Sequence, residues 1–200
     1  FFNNVTVRRP TVLDQWDTLE CQQLGLRFRR KRDPVKAKKG DRSGRESMEF
    51  VQLVAAGTPV SVGSVARDLE ARSRRVVYQA ETGTVELRGD VVARWKQGQL
   101  NCQHAVLARG VDGRIDRASC RGSGSLTWQQ PGTPTLPMIA RWSRQMTLAP
   151  DPETGQDLVV LDGQPVVKYG TDSALTANSI RIWLARDSRR SKGEPGSVGA

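Results

Sequence analysis

The sequence predicts an all-β fold of antiparallel strands, built from repeated hairpins that each carry a bulge. Three observations lead to this prediction: a short apolar motif that recurs four times, long stretches in which apolar and polar residues alternate, and glycines in the middle of those stretches. A supersecondary unit that recurs along a chain needs its neighbours to bury its apolar face. We therefore expect stacked hairpins rather than a mixed enzyme domain.

The recurring motif begins with Leu, has a small residue two positions later in every copy, and then resumes its alternation after one inserted residue. Its four copies occupy residues 19–28, 69–78, 100–107 and 175–184. In the second copy, Arg74 stands at the first position after the insertion. An inserted residue turns the following side chains to the opposite face of a strand unless a β-bulge absorbs it. Bulges at one level in successive strands would curve the sheet into two layers.

Two stretches of alternation, residues 85–95 and 159–169, predict half-buried strands. Gly89 and Gly163 lie at matching positions, where a glycine marks a bend or a bulge. Pro165 cannot donate a backbone hydrogen bond, so its strand should be at an edge or bent at that point. A short turn and then the Leu motif follow each stretch, which predicts a hairpin.

The composition fits thin, paired sheets. Hydrophobic residues make up 37% of the 200-residue chain and aromatic residues 6%, which is little for a thick core and enough for strands that bury one face. No stretch approaches the roughly 18 apolar residues that span a bilayer. The chain begins at Phe1 with no charged segment leading into an apolar one. We expect it to be a processed or excised piece, whose export cannot be inferred from its N-terminus.

The net charge of +10 is concentrated in two segments, 29–47 with a net charge of +6 and 186–200 with +2. We interpret the first as a solvated inserted loop, because runs of like charge are usually solvated. The alternative is contact with a polyanion, either anionic lipid or nucleic acid, and nucleic acid is the less favoured of these because the charge is not spread over a folded face. The candidate anion-binding residues are Arg29, Arg30, Lys31, Arg32, Lys36, Lys38 and Lys39.

The chain is expected to form one domain over residues 1–187. Within it, 29–47 is the basic inserted loop and 121–137 is a loop region rich in Gly and Pro. Residues 188–200, with their Arg, Ser, Gly and Pro, are predicted to be a disordered tail.

No catalytic or metal-binding constellation is visible. His104 is the only histidine, and it lies in a strand with neither a triad nor ligand spacing around it. Cys21 and Cys102 occupy the small-residue position of the motif, which favours buried thiols, and no cysteine belongs to a metal-ligand pattern. A Cys102–Cys120 disulfide is possible in an oxidising compartment. We expect no enzyme activity, no metal and no cofactor.

Two pairs of segments carry a family resemblance. Residues 85–93 with 100–107, and 160–167 with 175–180, alternate a hydrophobic-x-Gly-x-Val strand with a Leu-x-small-x-x strand. In this the chain resembles the OstA-like (LptA-like) family of lipopolysaccharide-transport proteins. A further copy, with residues 2–5 leading to 19–28, extends the resemblance over roughly residues 2–184.

The resemblance implies an open, V-shaped antiparallel β-jellyroll in the periplasm or cell envelope. Its apolar interior would hold the acyl chains of lipopolysaccharide or another lipid, and its edge strands would pair with other transport jellyrolls. The basic insertion and the long Gly/Pro-rich loop depart from the small bridge proteins of the family. The candidate lipid-facing residues are Val85, Leu87, Val91, Trp95, Leu100, Val159, Leu161, Val167, Tyr169 and Leu175.

Two other functions remain open on the sequence. The sheets could serve as a structural or protein-interaction module, because the same apolar faces would form an ordinary sheet core. The domain could instead bind a polyanion through its basic loop. A groove between the sheets would favour lipid binding, whereas a closed interior would favour the structural module.

Overall fold

The computed structural model describes residues 2–11, 16–31, 47–110, 115–129, 137–170 and 173–184. These residues form thirteen β-strands and one short 3-10 helix, Val65–Arg67, so the all-β prediction is confirmed. The strands are β1 Phe2–Pro10, β2 Trp16–Lys31, β3 Ser47–Ser64, β4 Leu69–Gln79, β5 Thr84–Trp95, β6 Gly98–Arg109, β7 Ile115–Trp128, β8 Met138–Trp142, β9 Gln145–Pro150, β10 Asp157–Asp162, β11 Val166–Tyr169, β12 Ser173–Thr176 and β13 Ser179–Leu184.

All strand pairs are antiparallel, and strands β1 to β7 pair in chain order. The sheet then divides at β7. Residues 124–128 of β7 pair with β8, whereas residues 118–121 pair with β9. The first branch continues through β11 to β12, and the second through β10 to β13. We call these parts the β8 half and the β9 half; the described sheet is open rather than closed into a barrel.

A line of bulges separates the two halves. The registers of successive strand pairs shift between Glu20/Gln23, Ala56/Val60, Arg72/Arg75, Arg88/Val91 and Cys102/His104. The branches break at the same level, because a bend separates β8 from β9, β10 from β11, and β12 from β13. We call this feature the bulge line. It confirms that the inserted residue of the motif forms a β-bulge at which the strand bends, and that the chain also bends next to Pro165.

The second copy of the motif places its bulge differently from the prediction. Ala71 and Ser73 are both buried, and the next buried residue on that face is Val76. Arg74 is exposed and donates from Nε to the Asp90 carboxylate at 2.9 Å. Arg74 therefore differs from Leu24 and Ala105, which occupy the same position in their copies of the motif and are buried. Burying an unpaired guanidinium would be costly, so the extra residues lie one step later in β4.

The glycines that predicted a loop at 121–137 belong largely to a strand. Strand β7 continues to Trp128, and the segment between strands starts only after it. Gly122 has a φ of +82° at the bulge line, which favours glycine. Gly124 is needed for a different reason, because a Cβ there would lie 2.3 Å from Cζ2 of Trp142. These glycines permit a bend and a close approach, so they do not end the strand.

The basic insertion is shorter than expected at both ends. Residues 29–31 belong to β2 and pair with Glu49, Met48 and Ser47 of β3. The rest of the predicted loop, 32–46, lies outside the described residues. The predicted tail, 188–200, also lies outside them.

The two halves share one hydrophobic core. Apolar side chains on one face of both halves form a single cluster, in which Ala55, Val60 and Leu161 have no exposed surface. A single layer of sheet cannot exclude water from its face to this degree, so the inner faces of the halves cover each other. The bulge line lies where the sheet turns from one half into the other.

We predict that Gly124→Ala lowers the free energy of unfolding by about 2 kcal/mol, because the added methyl group forces the buried Trp142 ring to move. Gly25→Ala is the matched control. A Cβ there meets nothing closer than the Val54 carbonyl oxygen at 3.8 Å, so a change within about 0.5 kcal/mol is expected. Denaturant unfolding of both variants is the measurement. Equal stabilities would contradict this account of Gly124.

Candidate functional site: an apolar groove between the two halves

The inner face is fully packed beside the bulge line. On the β9 side, neighbouring strands contribute a row of buried residues: Leu24, Ala55, Val76, Leu87, Ala105, Cys120, Met146, Leu161 and Ile180. On the β8 side the corresponding row is Cys21, Val60, Ser73, Val91, Cys102 and Trp142. These buried side chains belong to one cluster, so they join the two halves.

Burial falls off towards the outer end of the β8 half. The outermost row of inward-facing residues lies two inward-facing positions beyond the fully buried row. It consists mostly of large apolar side chains: Leu69, Trp95, Trp128, Met138 and Tyr169. The first four are half-buried, and Tyr169 is 53% exposed. We call this row the β8 rim. Gly98 provides room for the Trp95 ring, because a Cβ at Gly98 would lie 2.7 Å from that ring.

The β9 half shows the same gradient. One rank from its fully buried row lies a second apolar row, which we call the β9 rim: Leu26, Leu53, Tyr78, Val85, Leu107, Leu148, Val159 and Ile182. Val159 is buried, most of the others are half-buried, and Leu26 at the end of the row is 52% exposed. We call the apolar surface of these two rims the candidate groove.

The ten predicted lipid-facing residues therefore have different environments. Five are packed in the core: Leu87, Val91, Leu100, Val159 and Leu161. Val85, Trp95 and Val167 are partly buried against that core. Tyr169 and Leu175 are 53% and 56% exposed, so of the ten they have the most surface free for a ligand.

Sequence reasoning did not select the aromatic group at the far end of β2 and β3. Phe28 and Phe50 lie edge to face with ring centroids 5.8 Å apart, and Phe50 stacks on Tyr78 at 6.2 Å. Phe28 is 48% exposed. Phe28 and Tyr78 are the last residues of their copies of the motif, which is a signal that could have identified them.

Among the predicted anion-binding residues, Arg29 is already engaged. Its Nε donates to the Glu49 carboxylate at 3.0 Å, and Glu81 lies 3.9 Å away. The hydrogen bond and charge of Glu49, followed by the charge of Glu81, raise the pKa of Arg29. Arg30 and Lys31 lie at the end of β2. The other predicted residues, Arg32, Lys36, Lys38 and Lys39, lie outside the described part of the chain.

The three cysteines are buried, and the single histidine contacts a carboxylate. Cys21, Cys102 and Cys120 are free thiols in the core. The neighbouring Cys102 and burial raise the pKa of Cys120, so this thiol is a poor nucleophile. His104 Nε2 lies 2.7 Å from the Glu86 carboxylate, which Arg88 also contacts. Within the described residues, no three His, Cys, Asp or Glu side chains are placed to hold a metal ion.

Two surface depressions accompany the groove. One, of about 370 Å³, opens against the β8 rim at Leu69 and Trp95, and the buried hydroxyl of Ser64, which has no hydrogen-bond partner, also lines it. The other, of about 490 Å³, lies at the bulge line and is lined by apolar Val91, Val92 and Trp142 as well as by polar Asn101, Ser123 and Arg141. The first depression has a mixed lining, because the charged residues Asp68, Glu70, Arg94 and Lys96 lie beside Leu69 and Trp95.

Asp151 anchors the outer edge of the β9 half. Its Oδ2 accepts hydrogen bonds from Trp183 Nε1 at 2.7 Å and from the Thr154 hydroxyl at 2.8 Å, and its Oδ1 accepts from the Glu153 amide at 3.2 Å. The bonds from Thr154, Trp183 and Glu153 hold the pKa of Asp151 below its usual range. The carboxylate thereby links the turn after β9 to β13, which carries Ile182 of the β9 rim.

The chain matches no protein-family model and no curated protein sequence. Within the described residues, no helix is long and apolar enough to cross a membrane.

We predict that Asp151→Ala lowers the midpoint of thermal unfolding at neutral pH, because Trp183 and Thr154 lose their acceptor. A carboxyl group with a lowered folded-state pKa stabilises the fold above its unfolded pKa and loses this effect as the pH falls through the folded value. The difference in the midpoint of thermal unfolding between the variant and the parent should therefore become smaller under acidic conditions. Glu153→Ala, an exposed change in the same turn, is the control; a difference independent of pH would contradict the assignment.

Proposed function

We propose that this chain is a non-enzymatic lipid-binding and lipid-transport module of the cell envelope, with lipopolysaccharide as the expected cargo. The acyl chains would lie in the groove between the β8 rim and the β9 rim. The module would act by offering a continuous apolar surface, with no bond made or broken. The periplasm is the proposed location.

The gradient of burial along the inner face supports this proposal most strongly. A sheet that served only for stability would gain by covering its rims, because each large apolar side chain removed from water stabilises the fold by roughly 1.5–3 kcal/mol. Here the rims keep exposed apolar surface at both ends of the interior, at Leu26 and Tyr169. Ligand sites are typically apolar and concave with few polar anchors.

Edge strands provide a second supporting feature. In the described part of the sheet, β1, β12 and β13 each pair with one neighbour. A strand with one free edge can pair with a strand of another molecule. We propose that other β-jellyroll transport proteins add to these edges and extend the groove from one module to the next.

The cargo proposal predicts site-specific photocrosslinking. A benzophenone side chain replacing Tyr169 or Leu26 should crosslink to lipopolysaccharide in a competent envelope, because both positions are on the inner face and exposed. Lys168 and Arg27, one residue away on the outer face, are the matched controls and should give no crosslink. Products are detected on denaturing gels with an antibody against lipopolysaccharide.

Leu161 provides a test of the packed region. It has no exposed surface, so a probe there should crosslink far less than at Tyr169. If no inner position crosslinks while the variants remain folded, the lipid proposal fails and the structural module is favoured. Equal crosslinking from Lys168 and Tyr169 would show nonspecific contact and would also contradict the groove.

A further inference from the structure

A row of basic side chains crosses four neighbouring strands on the outer face. Arg75 of β4 lies directly opposite Arg88 of β5. Arg88 in turn lies opposite His104 of β6, which lies opposite Arg121 of β7. Each of the four is next in sequence to a buried residue of the inner face, so all four lie on the outer face. These buried neighbours are Val76, Leu87, Ala105 and Cys120. We call the four outer residues the basic row.

The basic row differs from the rest of the described sheet. Elsewhere in it, a basic residue with a charged residue directly opposite faces an acid. These pairs are Arg9 with Asp17, Arg29 with Glu49, and Arg94 with Glu70. Like charges directly opposite each other on neighbouring strands destabilise a sheet. The basic row therefore costs the fold stability, which indicates a role other than folding.

The charge of the basic row is only partly neutralised. Among the described residues, Glu86 is the one carboxylate in contact with it, 2.8 Å from Arg88 Nε and 2.7 Å from His104 Nε2. Arg75 and Arg121, at the two ends of the row, are exposed and have no side-chain hydrogen bond or ion pair within the described part of the chain. A guanidinium group binds phosphate through two parallel hydrogen bonds. The two ends of the row are therefore available to an anion.

The depression of about 490 Å³ at the bulge line adjoins the basic row. Gln103, which lines it, immediately precedes His104 in β6, and Ser123, which also lines it, follows Arg121 by two residues in β7. Binding sites for small ligands typically enclose about 300–1,000 Å³. The depression is therefore large enough for a small ligand that also reaches the basic row.

The polar lining of this depression can form hydrogen bonds. Gln103 and Ser123 have no side-chain partner among the described residues, and neither does the guanidinium of Arg141. Asp90, the one acidic residue of the lining, already accepts a hydrogen bond from Arg74 Nε at 2.9 Å. Amide and hydroxyl side chains both donate and accept, as the hydroxyl groups of a sugar require.

We propose that the basic row and this depression together bind a phosphorylated saccharide. Arg75 and Arg121 bind phosphate groups, while Gln103 and Ser123 bind sugar hydroxyls. Strands lie about 4.8 Å apart, so the ends of the row are roughly 14 Å apart and can hold more than one phosphate. The proposal does not rest on lipid binding in the groove, because the basic row and the groove lie on opposite faces of the sheet.

Nucleic acid is the less favoured ligand for this site. Proteins that bind single strands stack the bases on exposed aromatic side chains. Trp142, the one aromatic residue in the lining, is buried. The site therefore offers contacts to phosphate and to hydroxyl groups, and no exposed ring for a base.

Titration calorimetry of the full chain with glucose 1,6-bisphosphate tests the proposal. Arg75→Gln/Arg121→Gln should weaken binding by about tenfold or more, because two charge-assisted contacts are lost. Arg117→Gln/Arg181→Gln is the matched control and should change binding less than twofold. It removes the same charge from two exposed outer-face arginines that lie opposite Ala108 and Val160 and have no side-chain partner among the described residues. Equal weakening by the two double variants, or no binding by the parent chain, would overturn the proposal.

Other ligands test the chemical class. Inorganic phosphate should bind about tenfold more weakly than the bisphosphate, and glucose should not bind detectably, because each lacks one half of the contacts. Equal binding of inorganic phosphate would overturn the assignment to a saccharide. Single-stranded DNA that binds more tightly than the bisphosphate through the same two arginines would also overturn it. Displacement of the bisphosphate by deacylated lipopolysaccharide would support the site with a lipid-linked saccharide as the source, and no displacement would support it with a free sugar phosphate.

Thermal unfolding provides an independent readout. Without ligand, Arg75→Gln/Arg121→Gln should unfold at the same midpoint as the parent or at a higher one, because the opposition of like charges is relieved. Glucose 1,6-bisphosphate should raise the midpoint of the parent and leave that of the variant unchanged, since only a ligand that binds the folded state stabilises it. A variant that is less stable than the parent, or that fails to fold, would show that these arginines serve the fold and would overturn the proposal.

Discussion

Each long strand of this sheet presents apolar side chains to one interior from both of its ends, and the bulge line makes this possible. A strand with unbroken period-2 alternation would continue straight, and its two ends could not face each other. The register shifts, such as that between Arg88 and Val91, add residues without turning the apolar set outwards. The single core shared by the two halves depends on these shifts occurring at the same level in neighbouring strands.

The bend also explains why burial depends on position along a strand. Beside the bulge line the two faces are close, so Val60 and Leu161 lose all contact with water. Further out, side chains have less to pack against, and Trp95 and Tyr78 remain partly exposed. The same bend that closes the core therefore leaves the apolar rims open. The proposed cargo site lies at these outer ends.

Much of this architecture could be predicted from the chain alone. The motif predicted the bulges and the alternation predicted the inner face. Both patterns depend only on residues that are close together in the sequence. The burial of each inner residue depends on strands that are distant in the sequence. Leu161 and Tyr169 both alternate onto the inner face, yet Leu161 is in the core and Tyr169 is at the rim. Gly122 and Gly124 suggested a loop because sequence cannot show Trp142 packing on β7. The later bulge in β4 could not be predicted, because Arg74 is paired with Asp90, which belongs to the next strand.

The most direct test of the groove is to locate acyl-chain protons by nuclear Overhauser effects to methyl groups of the protein. With saturating lipopolysaccharide, we expect effects at Leu26, Leu69 and Ile182 on the rims. We expect none at Leu161 in the packed core or at Val160, which alternates with it on the outer face. Effects confined to the outer face, or none on either rim, would rule out acyl-chain binding in the groove.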